Sequence, residues 1–208
     1  MELKVYNIEG KETTKVVSLS EEIVGIEPND HAIYLDVKQY GANQRQGTHK
    51  SKQRSEITGS TRKLHKQKGG GGARHGDIKS PLMRGGGRIF GPVPRDYSFK
   101  LNKKLKRLAR KSALAYKAKE EGIQVVEVFS FNAPRTKDML KVLTNLNLHN
   151  EKTLLVISSP NDVLTLSARN IPNVKVVNVK DLCTYDLLSA TKLLFVEDTI
   201  ELLNNQLA

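Results

Sequence analysis

Hydrophobic residues in the second half of the chain follow the pattern of alternating strands and helices. From Ile123 onward, short runs rich in Val and Leu are typical of strands that are buried on both faces of a sheet. The segments between these runs carry apolar residues at helical spacing. The predicted strands are 124–129, 153–158, 174–179 and 193–196, and the predicted helices are 136–146, 161–170, 184–191 and 199–205, with Thr136, Asn161 and Thr184 as N-caps.

The N-terminal region predicts two strands and two helices. Alternation of apolar and polar side chains is typical of a half-buried strand, and it occurs in the first residues of the chain. Ile33, Val37 and Tyr40 recur at helical spacing. The expected elements are strands at 3–8 and 15–19, a short helix at 21–24 capped by Ser20, and a longer helix at 31–44.

A long amphipathic helix is predicted over residues 102–121, ended by Gly122. Its apolar face is expected to consist of Leu101, Leu105, Leu108, Ser112 and Ala115. Lys103 and Lys104 lie in its first turn, where the helix dipole favours acidic residues by about 0.3–1 kcal/mol each. Because these two lysines are unfavourable for the helix itself, they indicate contact with a partner, such as phosphate groups. An ordinary solvated helix face is the alternative.

The order of the predicted elements indicates the fold class. Strand and helix alternate several times, which predicts a single three-layer α/β domain with a mostly parallel sheet covered by helices. This globular domain is expected to comprise residues 1–43 and 92–208. Residues 44–91, named the arm here, are predicted to form a long extended loop with its tip at about 65–74.

Composition sets the arm apart from the rest of the chain. The stretch 41–91 holds twelve of the fifteen glycines and twelve Lys/Arg against only Glu56 and Asp77, a net charge of +10. It has too few large apolar residues to offset the backbone entropy of ordering, about 1–2 kcal/mol per residue. A flexible linker is the alternative, but Gly/Ser linkers seldom carry so many charges. The arm is therefore expected to be ordered by a partner.

The charge distribution identifies that partner as a polyanion. Residues 38–111 contain 21 basic and 3 acidic residues, a net charge of +18, whereas the remainder of the chain has a net charge of −6. Lys and Arg neutralise phosphates, and Gly lets the backbone approach them closely. The candidate RNA-binding residues are Arg45, Lys50, Lys52, Arg54, Arg62, Lys63, His65, Lys66, Lys68, Arg74, His75, Lys79, Arg84, Arg88, Arg95, Lys103, Lys104, Lys106 and Arg107.

Catalytic chemistry has no recognisable motif in this sequence. Neither G-x-G-x-x-G nor G-x-x-x-x-G-K-[ST] occurs, and neither does H-E-x-x-H, G-x-S-x-G or C-x-x-C. The single cysteine, Cys183, excludes an internal disulfide and a cysteine zinc site, and suits a reducing compartment. No apolar run approaches the length of a membrane span. We expect no enzyme activity, no metal and no cofactor.

Two kinds of nucleic acid remain as partners. A nucleoid-type protein could insert basic Gly-rich arms into the minor groove of DNA, but the sequence has no helix-turn-helix, zinc finger or heptad motif. Folded RNA fits an irregular, Gly-punctuated basic segment better, because such a segment can fill crevices between RNA helices. Tyr97, Phe99 and His65 could stack on splayed bases, although core packing is an equal alternative for the first two.

Three motifs carry a resemblance to a known family. The strings QKGGGGARHGDIKSP, RGGGRIFGP and PRDYSFKLNKK closely resemble the signature region of large-subunit ribosomal protein L four, the universal uL four family. The likeness extends over the whole chain in its order of strands and helices. At the tip, the chain has His65 where many bacterial members have Trp, and Gly72 where they have Arg.

The resemblance implies a place in the ribosome. Family members bind large-subunit ribosomal RNA of the 23S type early in assembly, and their long loop reaches the peptide exit tunnel. Beside a loop of ribosomal protein L twenty-two, the tip narrows the tunnel and meets the nascent peptide. By position, Gln67, Lys68, Gly69 and Gly70 are expected at this constriction. The implied location is the cytoplasm, in the ribosome, and some members also repress their own operon by binding messenger RNA.

Overall fold

The Val- and Leu-rich runs form the centre of a six-stranded sheet. The computed structural model describes residues 1–207 and divides the chain into two units, Met1–Gly41 with the segment from Lys100 onward, and Ala42–Phe99. The first unit is the α/β unit. In chain order its elements are β1 (Glu2–Tyr6), β2 (Glu12–Ser18), α1 (Glu21–Val24), α2 (Asp30–Asn43, whose last turn enters the second unit), α3 (Lys103–Lys119), β3 (Ile123–Val126), α4 (Thr136–Asn145), β4 (Thr153–Ile157), α5 (Asp162–Arg169), β5 (Val174–Asn178), a short 3₁₀ turn (Val179–Asp181), α6 (Thr184–Ser189), β6 (Lys192–Val196) and α7 (Glu197–Leu207).

The sheet has the strand order β2-β1-β3-β6-β4-β5. Only the β1–β2 pair is antiparallel, and the other four pairs are parallel. Strand β6 lies in the interior of the sheet, with Leu194 level with Gln124 of β3 and Leu155 of β4. The predicted α/β class with a mostly parallel sheet is therefore confirmed.

Two hydrophobic cores cover the two faces of the sheet. Alternate residues of one strand point to opposite faces, so Leu193 and Phe195 lie in one core while Leu194 and Val196 lie in the other. The first core also takes apolar residues from α1, α3, α6 and α7, and the second takes them from α4 and α5. Helices on both faces of a central sheet give the three predicted layers.

Three expectations about burial and length are wrong. The strand predicted at 124–129 ends at Val126, although Phe129 still packs into the second core. The last strand in the sheet order, β5, is only partly buried, because an edge strand has no neighbour on one side. Leu108 is 36 % exposed, since α3 packs against the core only from Ala109 onward.

The observed helix ends agree only in part with the caps predicted from the sequence. Ser20 and Asn161 act as N-caps as predicted, each accepting a hydrogen bond from the backbone of its helix. Thr136 and Thr184 are instead the first helical residues, preceded by extended residues that make no side-chain cap. After α3 the left-handed residue is Glu121, at φ 50°, and Gly122 is the next residue, which donates to the Lys117 carbonyl at 2.9 Å.

The central position of Phe195 predicts a large stability effect. Its side chain is fully buried in the first core, on the middle strand. We expect Phe195→Ala to lower the free energy of unfolding by about 3–5 kcal/mol, because it removes apolar contacts and leaves a cavity. Urea denaturation followed by circular dichroism measures this. Leu202→Ala on α7, where the side chain is 43 % exposed, is the control and should cost less than about 1.5 kcal/mol. An equal loss in both variants would contradict the assignment of the core.

Candidate nucleic-acid interface

The second unit, Ala42–Phe99, consists of two limbs that run side by side in opposite directions. The outgoing limb covers residues 47–64 and the returning limb residues 76–95, and the tip lies between them. Four backbone hydrogen bonds join the limbs: Arg95 N to Gly47 O at 3.2 Å, Ser51 N to Pro92 O at 3.0 Å, Arg88 N to Lys52 O at 3.0 Å, and Leu64 N to Gly76 O at 2.9 Å. That the arm reaches out from the α/β unit stays a prediction.

Packing requires glycine where the limbs touch, whereas at the tip it is the left-handed backbone of Gly69 and Gly71, at φ 86° and 64°, that favours glycine. A Cβ atom at Gly87 would lie 2.3 Å from the backbone nitrogen of Arg54, and one at Gly91 would lie 1.8 Å from Ser51 Oγ. A Cβ atom at Gly69, Gly70 or Gly71 would meet nothing within 4 Å. Packing inside the protein therefore explains the glycines of the returning limb but not those of the tip.

The second unit contributes nothing to the hydrophobic cores. No buried hydrophobic residue occurs between Ala32 and Ala109, and the buried residues from 42 to 99 are Asp77 and Gly87 alone. Large apolar side chains of the returning limb, such as Leu82 and Phe90, are exposed. The limb-to-limb hydrogen bonds are thus open to water and have little apolar burial to support them.

This lack of burial predicts low local stability in the isolated protein. We expect backbone amides of residues 48–84 to exchange with solvent far faster than those of β4 and β6, because opening the arm costs little apolar contact. Hydrogen exchange read by mass spectrometry tests this in the same sample, with the two strands as the internal control. Protection of the arm equal to that of the strands would contradict the prediction.

Positive charge dominates the second unit. It has thirteen Lys/Arg and three carboxylates, a net charge of +10, and each carboxylate already has a partner. Glu56 pairs with Lys50 at 2.5 Å, and this hydrogen bond holds the pKa of Glu56 below its ordinary value. Asp77 lies 3.2 Å from Arg54, and Asp96 accepts hydrogen bonds from the backbone and hydroxyl of Ser98. The excess charge has no acidic counterpart within the unit.

The structure places the nineteen candidate RNA-binding residues in two groups. Fifteen lie in the second unit and four, Lys103, Lys104, Lys106 and Arg107, lie on the first turns of α3. All are exposed except His75, Lys79 and Lys106, which are half-buried. The first turn of α3 has no acidic residue, and its N-cap Asn102 makes no capping side-chain hydrogen bond. Both groups are thus accessible to a large anion.

Tyr97 organises cations at the base of the limbs. The guanidinium carbons of Arg45 and Arg95 lie 3.8 and 4.5 Å from the centre of its ring, and its hydroxyl lies 3.2 Å from His49 Nε2. Cation–π contact of this kind fixes the two arginines. Tyr97 therefore positions phosphate-binding candidates instead of presenting a bare ring to a base.

At the tip, His65 and His75 face each other. Their ring centres are 5.8 Å apart and tilted by 58°, which brings the start and end of the tip together. Lys63 Nζ donates to Gln67 Oε1 on the outgoing side. Lys68, Gly69 and Gly70 are exposed beyond this pair.

Sequence reasoning missed Phe90. Its ring is fully exposed, and its backbone is left-handed at φ 52°, which is rare for a residue other than glycine. The only hint in the sequence is an aromatic residue held between Gly-rich and Pro-rich stretches.

Other kinds of site find little support in the structure. Among residues 1–207, no three His, Cys, Asp or Glu side chains are grouped so that they could hold a metal ion. Within the same range, no helix combines the length and apolar character that crossing a bilayer requires. Burial raises the pKa of the half-buried Cys183 thiol, which disfavours the reactive thiolate.

Comparison with known proteins places this chain in a family. Residues 17–206 match the Ribosomal protein L4/L1 family. The chain belongs to this family. It is 58 % identical to the large ribosomal subunit protein uL4 of Phocaeicola vulgatus over 208 residues, the whole of both chains. It is also 58 % identical over 200 residues to the protein of that name from Parabacteroides distasonis, covering 96 % of each chain, and 53 % identical over 208 residues, the whole of both chains, to that from Christiangramia forsetii.

Family membership decides between the function classes considered from the sequence. The resemblance seen in the three motifs is confirmed over nearly the whole chain. Membership gives the chain a structural, non-enzymatic role in the large ribosomal subunit.

Proposed function

We propose that this large-subunit protein binds ribosomal RNA of the 23S type, with the Ala42–Phe99 unit as its main RNA-binding element and α3 as a second contact. The observation that carries the proposal is the net charge of +10 on a unit without a hydrophobic core, whose three carboxylates are all engaged. Such a unit gains its order from phosphates, since neutralising them releases counterions and offsets the cost of ordering the chain.

The proposed division of labour separates the limbs from the tip. The limbs bind phosphates through exposed Lys and Arg side chains, and Tyr97 holds Arg45 and Arg95 in place for this purpose. The tip residues Gln67, Lys68, Gly69 and Gly70 line the peptide exit tunnel beside ribosomal protein L twenty-two and meet the nascent peptide. Support for this comes from the tip glycines, whose open surroundings leave the backbone free to lie against RNA.

The chain acts in the bacterial cytoplasm, within the ribosome, as its family does. Binding to its own messenger RNA would use the same cations. It can be tested with the leader of its operon as a further RNA.

Titration with matched polyanions tests the proposal. The purified protein is mixed with large-subunit ribosomal RNA fragments, and separately with duplex DNA of equal charge, at several salt concentrations. We expect tighter binding to the RNA fragments at every salt concentration, because folded RNA offers both phosphates and unpaired bases. Equal, equally salt-sensitive affinity for both would favour the nucleoid-type alternative and overturn the proposal.

A further inference from the structure

The second unit encloses an open cavity of about 1160 Å³ between its limbs. Its lining combines apolar side chains of the returning limb, Ile89, Phe90 and Val93, with the cations Arg54, Lys79 and Arg88. The volume slightly exceeds the range of about 300–1,000 Å³ that is usual for sites that hold small molecules, so an entire nucleotide fits. A lining in which exposed apolar side chains and cations are combined is unusual for a surface that faces only water.

The lining is held in place by the pairing of the limbs. The backbone hydrogen bonds from Arg88 to Lys52 and from Ser51 to Pro92, each 3.0 Å, lie on either side of Phe90. Gly91 fits against Ser51 only because it has no Cβ atom. The chain at Phe90 is therefore bounded on both sides by limb-to-limb hydrogen bonds, its backbone is left-handed, and its ring lines the cavity while remaining fully exposed.

The charges at the cavity favour an anionic occupant. Asp77 is the only carboxylate in the lining, its side chain is 8 % exposed, and it lies 3.2 Å from Arg54. Its Oδ1 atom, the one nearest Arg54, makes no hydrogen bond, so the two side chains meet as an ion pair. Together with Lys79 and Arg88, the lining carries three cations against one buried carboxylate. An apolar peptide would leave this excess unpaired.

Unpaired RNA matches both properties of the lining. A base that has left its stack offers a π face to an aromatic ring, and its flanking phosphates offer negative charge to Lys and Arg. A base inside a duplex cannot do so, because its faces are covered by its neighbours. Resting on the proposed function, we propose that this cavity takes one unpaired nucleotide of the ribosomal RNA, whose base stacks on Phe90 and whose phosphates lie against Arg54, Lys79 and Arg88.

Substitution of Phe90 separates stacking from charge. We expect Phe90→Leu to weaken binding to a large-subunit RNA fragment by roughly 5- to 150-fold, the usual range for loss of one stacked base. The salt dependence should stay as it is, because no cation is removed. Phe90→Trp keeps a flat aromatic face and should bind like the wild type. Leu82→Ala is the matched control, since Leu82 is 92 % exposed on the same limb and outside the cavity.

Duplex RNA and cross-linking complete the test. Phe90→Leu should bind a fully paired RNA duplex as the wild type does, and a photoreactive benzoylphenylalanine at position 90 should cross-link to an unpaired nucleotide in assembled subunits. Wild-type affinity of Phe90→Leu for the fragment, equal weakening on the duplex, failure of the Trp variant, or cross-links to a protein neighbour would each overturn the stacking proposal. The proposed function fails separately, if the wild-type protein does not prefer ribosomal RNA.

Discussion

Replacing Lys103, Lys104, Lys106 and Arg107 with Ala is expected to weaken binding to ribosomal RNA by up to roughly a thousandfold at about 0.1 M salt. These side chains lie on the first turns of α3, before the part of the helix that packs into the core. If each contacts one phosphate, the slope of log affinity against log salt should become shallower by about three to four units. Filter binding or fluorescence anisotropy over a range of salt concentrations measures both quantities.

The same substitutions should stabilise the free protein slightly. Lys103 and Lys104 lie at the positive end of the helix dipole, so removing them should raise the stability of α3 by about 0.3–1 kcal/mol each. Ala also has the highest helix propensity. A variant that is more stable but binds RNA more weakly would show that these charges serve binding at the expense of folding.

A control variant removes the same four charges from elsewhere. Lys11, Lys137, Lys141 and Lys180 are exposed and lie outside the basic block 38–111. Their replacement with Ala should change the salt slope by less than one unit. If the salt slope of the α3 variant equals that of the wild type, this face is merely solvated. If both variants make the salt slope shallower by the same amount, only net charge matters.

Deleting tip residues 68–72 should separate tunnel function from RNA binding. The deletion removes one charge and no buried side chain, so RNA affinity and the yield of mature large subunits should remain close to wild type. A shorter tip should widen the proposed tunnel constriction. By family resemblance, it should change the response to macrolide antibiotics that bind nearby and to nascent chains that stall there. Ribosome profiling with and without a macrolide, alongside subunit yield, measures these effects.

Charge reversal is the finer probe of the tip. Lys68→Glu adds repulsion beside RNA and should displace the tip without unfolding the α/β unit. Arg84→Glu makes the same change on the returning limb, where it should lower RNA affinity and subunit yield instead. If the tip variants translate and respond to the drug like wild type, the tip does not line the tunnel. If they fail to form subunits, the tip is an assembly anchor.

The sequence predicted the elements of the α/β unit better than their arrangement. Strands β4 and β6 are buried on both faces, and uninterrupted apolar runs reveal this directly. The insertion of β6 between β3 and β4 depends on contacts between distant parts of the chain, which leave no local signal. Caps were predicted correctly where the side chain accepts a backbone hydrogen bond, as at Asn161, and wrongly where the residue before the helix makes no such bond, as before Thr184.

The candidate interface was predictable in charge but not in geometry. Clustering of Lys, Arg and Gly is visible in the sequence because electrostatic attraction depends mainly on composition. The contact of Arg45 with Tyr97 joins residues about fifty positions apart, and only the pairing of the limbs brings them together. The exposure of Phe90 likewise depends on its left-handed backbone, which its residue type does not suggest.

Photo-cross-linking within living cells tests the central claim most directly. A photoreactive residue is placed at Arg62 on the outgoing limb, and for comparison at Leu202 on α7, a helix with Glu197 and Asp198 in its first turn. After irradiation, the nucleic acids attached to the protein are sequenced. We expect position 62 to capture large-subunit ribosomal RNA at defined nucleotides and position 202 to capture far less. Capture of DNA or of protein alone from position 62 would contradict it.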